Sequence, residues 1–448
     1  MITTIGISIL ILSWAGAQEG PDFNRVNTET YRFYMEQKWD SLIQMGKEAF
    51  RSDVDYFYLR MRMGIAYFSG KNYRTAAQHF SAALEQNNGD PAALEYLYYS
   101  RLYAGQTEQA QHVQKEFKGD LALKLPPAGE KFFGRFGAEY LYQGGAADHL
   151  FEDPAGFYPL DVAGTQSTTG YFSNVTVSLV NHLAPGIVLS HAYTCLWKSS
   201  HYFSNDGQSA IYLPDQRLIQ NQYYLSPRFT TRSGYTFIPM IQVLGIKQQV
   251  IYDNGQGSQG GGSPAVGTGN ETDFVTGMGF RKNLGRVDLD LGGWYGHLNS
   301  ARQIQGRAGF TWFPLGNLNL YTGGYFNSQY EVLPGGEGLT RIIPEFLFGF
   351  GISEKVWVDL NGAVGEMTNY LEGNGMIVYN SISEVIDKKF RFSLSFPVTE
   401  KGSLFYLGGI WSAVRSEFLP EEDPGTMVFN STVLYNAFSI YGGLSWKF

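Results

Sequence analysis

The side chains able to do covalent or acid–base chemistry in this 448-residue chain are seven histidines, one cysteine and a scatter of serines and carboxylates. The densest group is Ser199, Ser200 and His201, followed by Asp206. A serine whose proton a histidine can take, with a carboxylate to orient the imidazole, is what acyl transfer requires. The group sits in a stretch, 199–216, that reads as a connection between strands, where histidine and serine are ordinarily solvated. His79, His112, His149, His182, His191 and His297 have no partner at metal or triad spacing, and neither H-E-x-x-H nor G-x-S-x-G occurs. His191 and Cys195 alternate onto one strand face, as packing residues do. With Cys195 alone, neither an internal disulfide nor a cysteine-based zinc site is expected. Glu421, Glu422 and Asp423 in "PEEDPG" offer oxygens of the kind calcium takes, and a solvated acidic loop has the same composition. The stretch "NGQGSQGGGSPAVGTGN" (254–270) has no lysine to reach a phosphate and reads as a surface loop. The expectation is therefore a protein that is not an enzyme and uses no cofactor or metal.

The elements that carry these side chains are more informative. Aromatic residues make up 16% of the chain and glycine 54 positions, while charged residues reach only 17%, well below the ~25% of a soluble domain. Mean hydropathy is nevertheless −0.19, and after Gly20 no run of ~18 apolar residues occurs. Many aromatics and glycines without a greasy run disfavour a helical membrane protein. They suit strands in which every second residue is polar. A net charge of −8 with no basic stripe excludes a nucleic-acid partner. Residues 1–17, "MITTIGISILILSWAGA", read as a secretory signal, with an apolar core from Ile5 to Trp14 and a small-x-small site at Ala15-Gly16-Ala17.

From Pro21 to Phe117 glycine is sparse and the apolar period is near 3.6, so residues 21–125 read as a helical domain. "KWDSLIQMGKEAF" (38–50) aligns with "NYRTAAQHFSAAL" (72–84) at a spacing of 34 residues, and "TEQAQHVQKEF" (107–117) continues the series. In the middle copy Gly64, Tyr67, Tyr73, Ala76, Phe80 and Ala83 occupy the positions at which the tetratricopeptide (TPR) family places its small and aromatic packing residues. The segment resembles that family. The outer copies depart from it, with Arg101, Gly46 and Gln114 at aromatic positions. The resemblance implies a helical solenoid that binds a peptide or protein; an ordinary helical bundle is the other reading. Asp90-Pro91 starts a helix, since proline is tolerated in a first turn. The prolines of "KLPPAG" (124–129) end the helical domain.

From 130 to 448 the pattern changes to period two. "RVDLDL" sets Val287, Leu289 and Leu291 against Asp288 and Asp290. "QIQGRAGFTWF" sets Ile304, Ala308, Phe310 and Trp312 against Gln303, Gln305, Arg307 and Thr311. Fourteen strands can be placed: near 131–143, 168–181, 186–198, 217–229, 234–252, 271–282, 286–298, 302–313, 317–329, 340–352, 355–368, 377–397, 402–417 and 428–448. The alternation slips near Leu434–Ala437, and 377–397 can be divided; splitting both gives sixteen. Connections alternate short and long, with Leu298–Ala301 an exception, and Trp197, Tyr202, Trp294, Tyr295, Trp312, Phe313, Trp411 and Trp446 gather near strand ends. Short turns on one side, long loops on the other and aromatic girdles are features of a transmembrane barrel. The last strand keeps Ile440, Leu444, Trp446 and Phe448 on one face to the final residue. This resembles the terminal strand of bacterial outer-membrane β-barrel proteins, by which Leu444, Trp446 and Phe448 would be read by the insertion machinery.

The expected fold is thus a multi-domain α+β chain, a TPR-like solenoid followed by a barrel of fourteen strands or, alternatively, sixteen. Asp288, Asp290, Gln303, Gln305, Arg307, Asp359, Asn361 and Arg391 should line the lumen, with Asp288, Asp290 and Arg307 close enough to pair. No plug segment other than the loops is evident. The architecture is similar to that of TPR-bearing outer-membrane exporters and translocators. That implies an outer-membrane transport or secretion component whose periplasmic helical domain binds a periplasmic or outer-membrane protein. A structural anchor is the alternative, and a hydrolase at the barrel mouth the third.

Overall fold

A computed structural model describes residues 22–125, 132–147, 163–206, 210–253, 264–353, 355–381, 384–399, 402–420 and 432–448. The signal sequence, most of "KLPPAG", His149, much of the 254–270 loop and Glu421–Asp423 lie outside these residues.

Seven helices come first: α1 (Phe23–Met35), α2 (Trp39–Arg51), α3 (Phe57–Ser69), α4 (Tyr73–Gln86), α5 (Pro91–Tyr103), α6 (Thr107–Gln114) and α7 (Gly119–Lys124). Helices α1, α3 and α5 begin at 23, 57 and 91, and α2, α4 and α6 at 39, 73 and 107, so every start recurs after 34 residues. Side-chain caps set several of them: Asp22, Asn72 and Asp90 each accept from the amide three residues on, and Pro91 opens α5. None of the described helices is long and apolar enough to cross a membrane. Ala76, Phe80 and Ala83 are buried in one cluster with Leu94, Leu97 and Val113. Tyr73 meets Phe68 and Tyr103 edge-on or tilted, at 5.2 and 5.1 Å between ring centroids. Gly64 is small because a Cβ there would lie 2.6 Å from the Phe80 ring. Gly46, the departure in the first copy, similarly makes room for the Met63 thioether.

The rest of the described chain is β: β1 (Phe133–Gln143), β2 (Ala163–Ala184), β3 (Ile187–Asp206), β4 (Ala210–Thr230), β5 (Tyr235–Asp253), β6 (Pro264–Leu284), β7 (Val287–Leu298), β8 (Ala301–Trp312), β9 (Leu320–Val332), β10 (Gly338–Ser353), β11 (Val356–Met367), β12 (Tyr370–Glu372), β13 (Ile377–Tyr379), β14 (Glu384–Pro397), β15 (Leu404–Ser416), β16 (Leu419–Pro420) and β17 (Val433–Lys447). Strand β1 pairs with β2 on one side and β17 on the other, so the sheet closes. The wall has fourteen antiparallel strands, β1–β11, β14, β15 and β17. The two-residue β16 adds to the upper end of β2. The first and last wall strands meet at the short-turn end, where the Phe133 and Phe448 rings lie 6.2 Å apart.

Outward positions carry the apolar set. Leu434, Phe438 and Ile440 are each about two-thirds exposed, and Ile304, Leu291, Met278, Phe326, Leu444, Trp446 and Phe448 continue the band. Fourteen is reached as expected, with one wall strand, β14, within 377–397. That segment does divide, but β13 leaves the wall to pair with β12, and no wall strand is added. The slip at 434–437 is not a turn: β17 is continuous, and its inward Val433, Tyr435 and Ala437 pack with Val414 and Ala147, so both faces are apolar there. Strands β2–β6 run 19–22 residues and absorb much of what reads as long loop, including Ser199–His201. The two-residue β7–β8 turn, Asn299–Ser300, has positive φ at both residues, as the twist of a tight hairpin requires. Two aromatics are not at an interface. Trp294 is buried inside the barrel, and Phe313 is buried beneath Arg74.

Gly64→Ala is expected to push Phe80 out of its seat and cost roughly 1–3 kcal/mol, read as an earlier loss of helical signal on heating. His79 is stacked between Phe50 and Tyr67. Burial, together with Arg60 3.4 Å away, lowers its pKa from 6.5 to about 4. The unfolded chain binds this proton below about 6.5 and the folded chain only near 4. Stability from this group is therefore full above 6.5 and falls as pH drops toward 4, by up to about 1.4 kcal/mol per pH unit. Thermal melts at pH 7, 6 and 5 should show the decline in the wild type and a shallower one in His79→Gln.

Candidate functional site

Inside the barrel, inward positions on β7–β11 and β14 supply a polar wall. Gln303 and Gln305 are buried on β8, and Asn361 on β11 stands opposite Arg391 on β14. The lumen charges are paired, but not as expected. Asp290 takes Arg281 Nε at 2.8 Å. Arg307 lies 3.5 Å over the Tyr325 ring and 3.8 Å from Glu345. Asp359 accepts from the Tyr321 hydroxyl. Arg391 donates to Tyr441 Oη at 2.9 Å and faces Glu139 at 3.8 Å. Asp288, Asp290 and Arg307 do not pair with one another. Adjacent strands bring their backbones together, but each side chain finds a nearer opposite charge from another strand or from the helical domain.

The lumen is crossed by β12–β13. The turn between them, Gly373–Asn374–Gly375, has positive φ at all three residues, which two glycines and an asparagine adopt at low cost. Gln305 binds the Leu371 backbone at both ends, Nε2 to O at 2.7 Å and Oε1 from N at 3.0 Å. Gln329 Nε2 donates to Thr368 O at 3.0 Å, and Asn369 donates to Glu331. The Tyr370 hydroxyl donates to Glu345. Lys389 on β14 holds Glu372 and, at 2.6 Å, the Tyr379 hydroxyl. At the far side Asn380 donates to Gln220 Oε1 at 2.9 Å, and Gln242 Nε2 to Met376 O at 3.2 Å. The hairpin is thus moored from β14 across to β4 and β5. Almost all of these moorings are hydrogen bonds and ion pairs. Its apolar contacts fall in two clusters, Leu371 and Val378 against Met240, Leu244 and Trp294, and Tyr370 with Tyr379 against Ile343, Ala363 and Met367.

The sequence carried a signal for this element: Asn374-Gly375 between Tyr370–Glu372 and Ile377–Tyr379, a tight-turn pair flanked by β-formers. Nothing in it indicated that the hairpin folds inward.

The helical domain is docked on the short-turn end. Arg74 at the start of α4 makes a bidentate pair with Asp288, at 2.7 and 3.1 Å, donates to Gly285 O at 3.0 Å and lies 3.5 Å over the Phe313 ring. Its amide donates to Gly316 O at 2.9 Å. On α6, Glu108 takes Arg228 at 2.5 Å and His112 meets Thr230 O at 2.7 Å, and beyond the helix Glu116 takes Arg232 at 2.9 Å. Gln111 accepts from the Gly186 amide at 3.3 Å. Four consecutive turns, β2–β3, β4–β5, β6–β7 and β8–β9, are therefore held by two helices.

The His201 imidazole Nδ1 lies 2.8 Å from Asp215 Oδ1, on β3 and β4. The Asp206 side chain lies outside the described residues. Among the described residues no group of three histidine, cysteine or acidic side chains is placed to hold a metal.

Fold and lumen together define the class: a closed, fourteen-stranded antiparallel barrel with an inward hairpin and a helical domain seated on its short-turn end. No family model matches the chain, and no curated protein matches it. Among solved structures it is similar to the Pseudomonas putida toluene transporter TodX, at a TM-score of 0.45 and 9% identity over 74% of this chain and 95% of that one. A Pseudomonas aeruginosa FadL homologue gives 0.36 and 10%, over 70% and 89%. A MamA structure gives 0.20 and 21%, over 22% and 57%. At these values the likeness carries no functional weight, and function is read from this chain's own residues.

Arg74→Ala leaves Asp288 short of its main partner beneath the helices and should weaken docking by roughly 3–5 kcal/mol. Limited proteolysis in detergent should then release a helical fragment that the wild type retains. Arg74→Ala combined with Asp288→Ala should cost less than the two single changes added.

Proposed function

We propose that this chain is a gated transport or secretion component of the outer membrane of a Gram-negative bacterium, with its helical domain in the periplasm. The outward apolar band and the closure of the fourteen-stranded wall support the membrane reading, since backbone groups in hydrocarbon need internal partners. The strict 34-residue recurrence of helix starts supports a TPR-like solenoid that captures a periplasmic or outer-membrane protein. Its docking surface on the barrel uses α4 and α6, which leaves most of α1, α3 and α5 for a client. Leu444, Trp446 and Phe448, outward at the closing strand, suit recognition by the insertion machinery. The chain is proposed to act without catalysis.

The observation that carries the gated reading is the hairpin 370–379. Its moorings are mostly polar, so water or a passing polar solute can replace them, whereas a permanently filled barrel is more economically packed with apolar side chains. The anchor reading draws on the same occlusion, together with the four-turn docking of the helical domain.

Single-channel recording separates the two. The wild type should be closed or nearly so, and replacing residues 370–379 by a Gly-Ser linker should open a steady ion conductance. A barrel that stays sealed after the replacement would favour the anchor.

A further inference from the structure

The junction between helices and barrel holds one cation that the protein itself does not neutralise. Arg74, Arg228 and Arg232 each meet a carboxylate across it: Asp288, Glu108 and Glu116. Arg286 meets neutral oxygens at ordinary distances, Thr75 Oγ1 at 3.2 Å and the Pro314 carbonyl at 3.1 Å. Arg101, near the end of α5, has neither. Its Nη1 lies 3.5 Å from Gln106 Oε1 and its Nη2 3.5 Å from Ser81 Oγ, both at the outer limit of a hydrogen bond. Its Nε is buried without a partner. Among the described residues no carboxylate reaches it.

This position is a departure from the helical repeat. Arg101 stands 34 residues after Tyr67, whose ring stacks on His79. A tyrosine there packs between helices, whereas a guanidinium pays a desolvation cost that only an anion offsets. Burial, and then the charge of Arg232, lower the Arg101 pKa from 12.5 to about 10, so the group stays charged at neutral pH. Arg232 comes from the opposite side of the junction, on the β4–β5 turn, and is more than half exposed. The two like charges repel unless something negative lies by them.

The space around them is small. The β4–β5 turn presses on α6, where a Cβ on Gly234 would lie 2.6 Å from Gln109 Nε2. The β6–β7 turn presses on α4, where a Cβ on Gly285 would collide with Gln78. Turns this close to the helices admit an ion more readily than a peptide strand.

We infer that the junction binds one small tetrahedral oxyanion of the phosphate type, held by the Arg101 and Arg232 guanidiniums with the Ser81 hydroxyl and the Gln106 amide beside it. A planar guanidinium fork matches such an ion. The ion ties α5 to the β4–β5 turn and cancels the repulsion between the two arginines, so docking of the helical domain depends on it. This goes beyond the transport reading and does not require the hairpin to move.

The test uses the full chain in detergent, exchanged into chloride and titrated with inorganic phosphate by calorimetry at constant ionic strength. One ion per chain is expected, and limited proteolysis should release the helical fragment more slowly as the site fills. Arg101→Gln should abolish both effects. Arg101→Lys keeps the charge but loses the fork, and should weaken binding about tenfold. Arg232→Gln alters a more exposed side chain and should also weaken binding, which keeps the site testable if Arg101→Gln does not fold. Arg286→Gln should bind phosphate as the wild type does. No binding by the wild type, binding undiminished in Arg101→Lys and Arg232→Gln, or equal loss in Arg286→Gln would overturn the site. Protection by phospholipid vesicles without protection by inorganic phosphate would assign the oxyanion to a lipid headgroup and overturn the small-ion reading.

Discussion

Every feature described depends on closure of the sheet. A strand edge left open to hydrocarbon strands a row of amides and carbonyls, each costing several kcal/mol. Here β1 takes β2 on one side and β17 on the other, and the register runs to Trp446 and Lys447. Closure puts one set of alternate side chains against lipid and the other into a lumen. It also fixes which end carries the short turns, and hence where a domain can be fastened. The aromatic C-terminus follows directly, because the closing strand must stay apolar on its outer face for its whole length.

Closure creates a second problem, a lumen wide enough to leak. The chain fills it with its own hairpin, and the chemistry of the filling matters. Glutamines 305 and 329, Glu331, Glu345 and Lys389 hold the hairpin by hydrogen bonds and ion pairs, and apolar contact is added by two clusters, one at Leu371 and Val378 and one at Tyr370. Polar contacts inside a barrel exchange with water at little net cost. On the proposed gated reading, the closed arrangement separates when something competes for the same donors.

The helical domain is joined to the barrel by charge rather than by a greasy interface. Arg74–Asp288, Glu108–Arg228 and Glu116–Arg232 span the junction, with Phe313 packed under the Arg74 guanidinium. Arg74 is buried, so its pair is little screened by salt, whereas Arg228 and Arg232 are partly open to solvent. The junction therefore has one strong point and two adjustable ones.

By itself the sequence determined the periodicities. A 34-residue recurrence gave the helix starts, and period two gave the strands, their faces and the continuous outer row of β17. Those are local: a side chain's face follows from its position in its own strand. Pairing across the lumen is not local. Arg281 and Asp290 are opposed within the β6–β7 hairpin, but Asp288 meets Arg74, and Arg391 meets Tyr441, only through docking and sheet closure, which no stretch of chain encodes alone. The Asn374-Gly375 turn was legible as a hairpin, yet its inward course depends on acceptors and donors from β4, β5, β8, β9, β10 and β14. Likewise Pro227 and Pro239 lie in separate strands, β4 and β5. Only the antiparallel register sets them opposite each other.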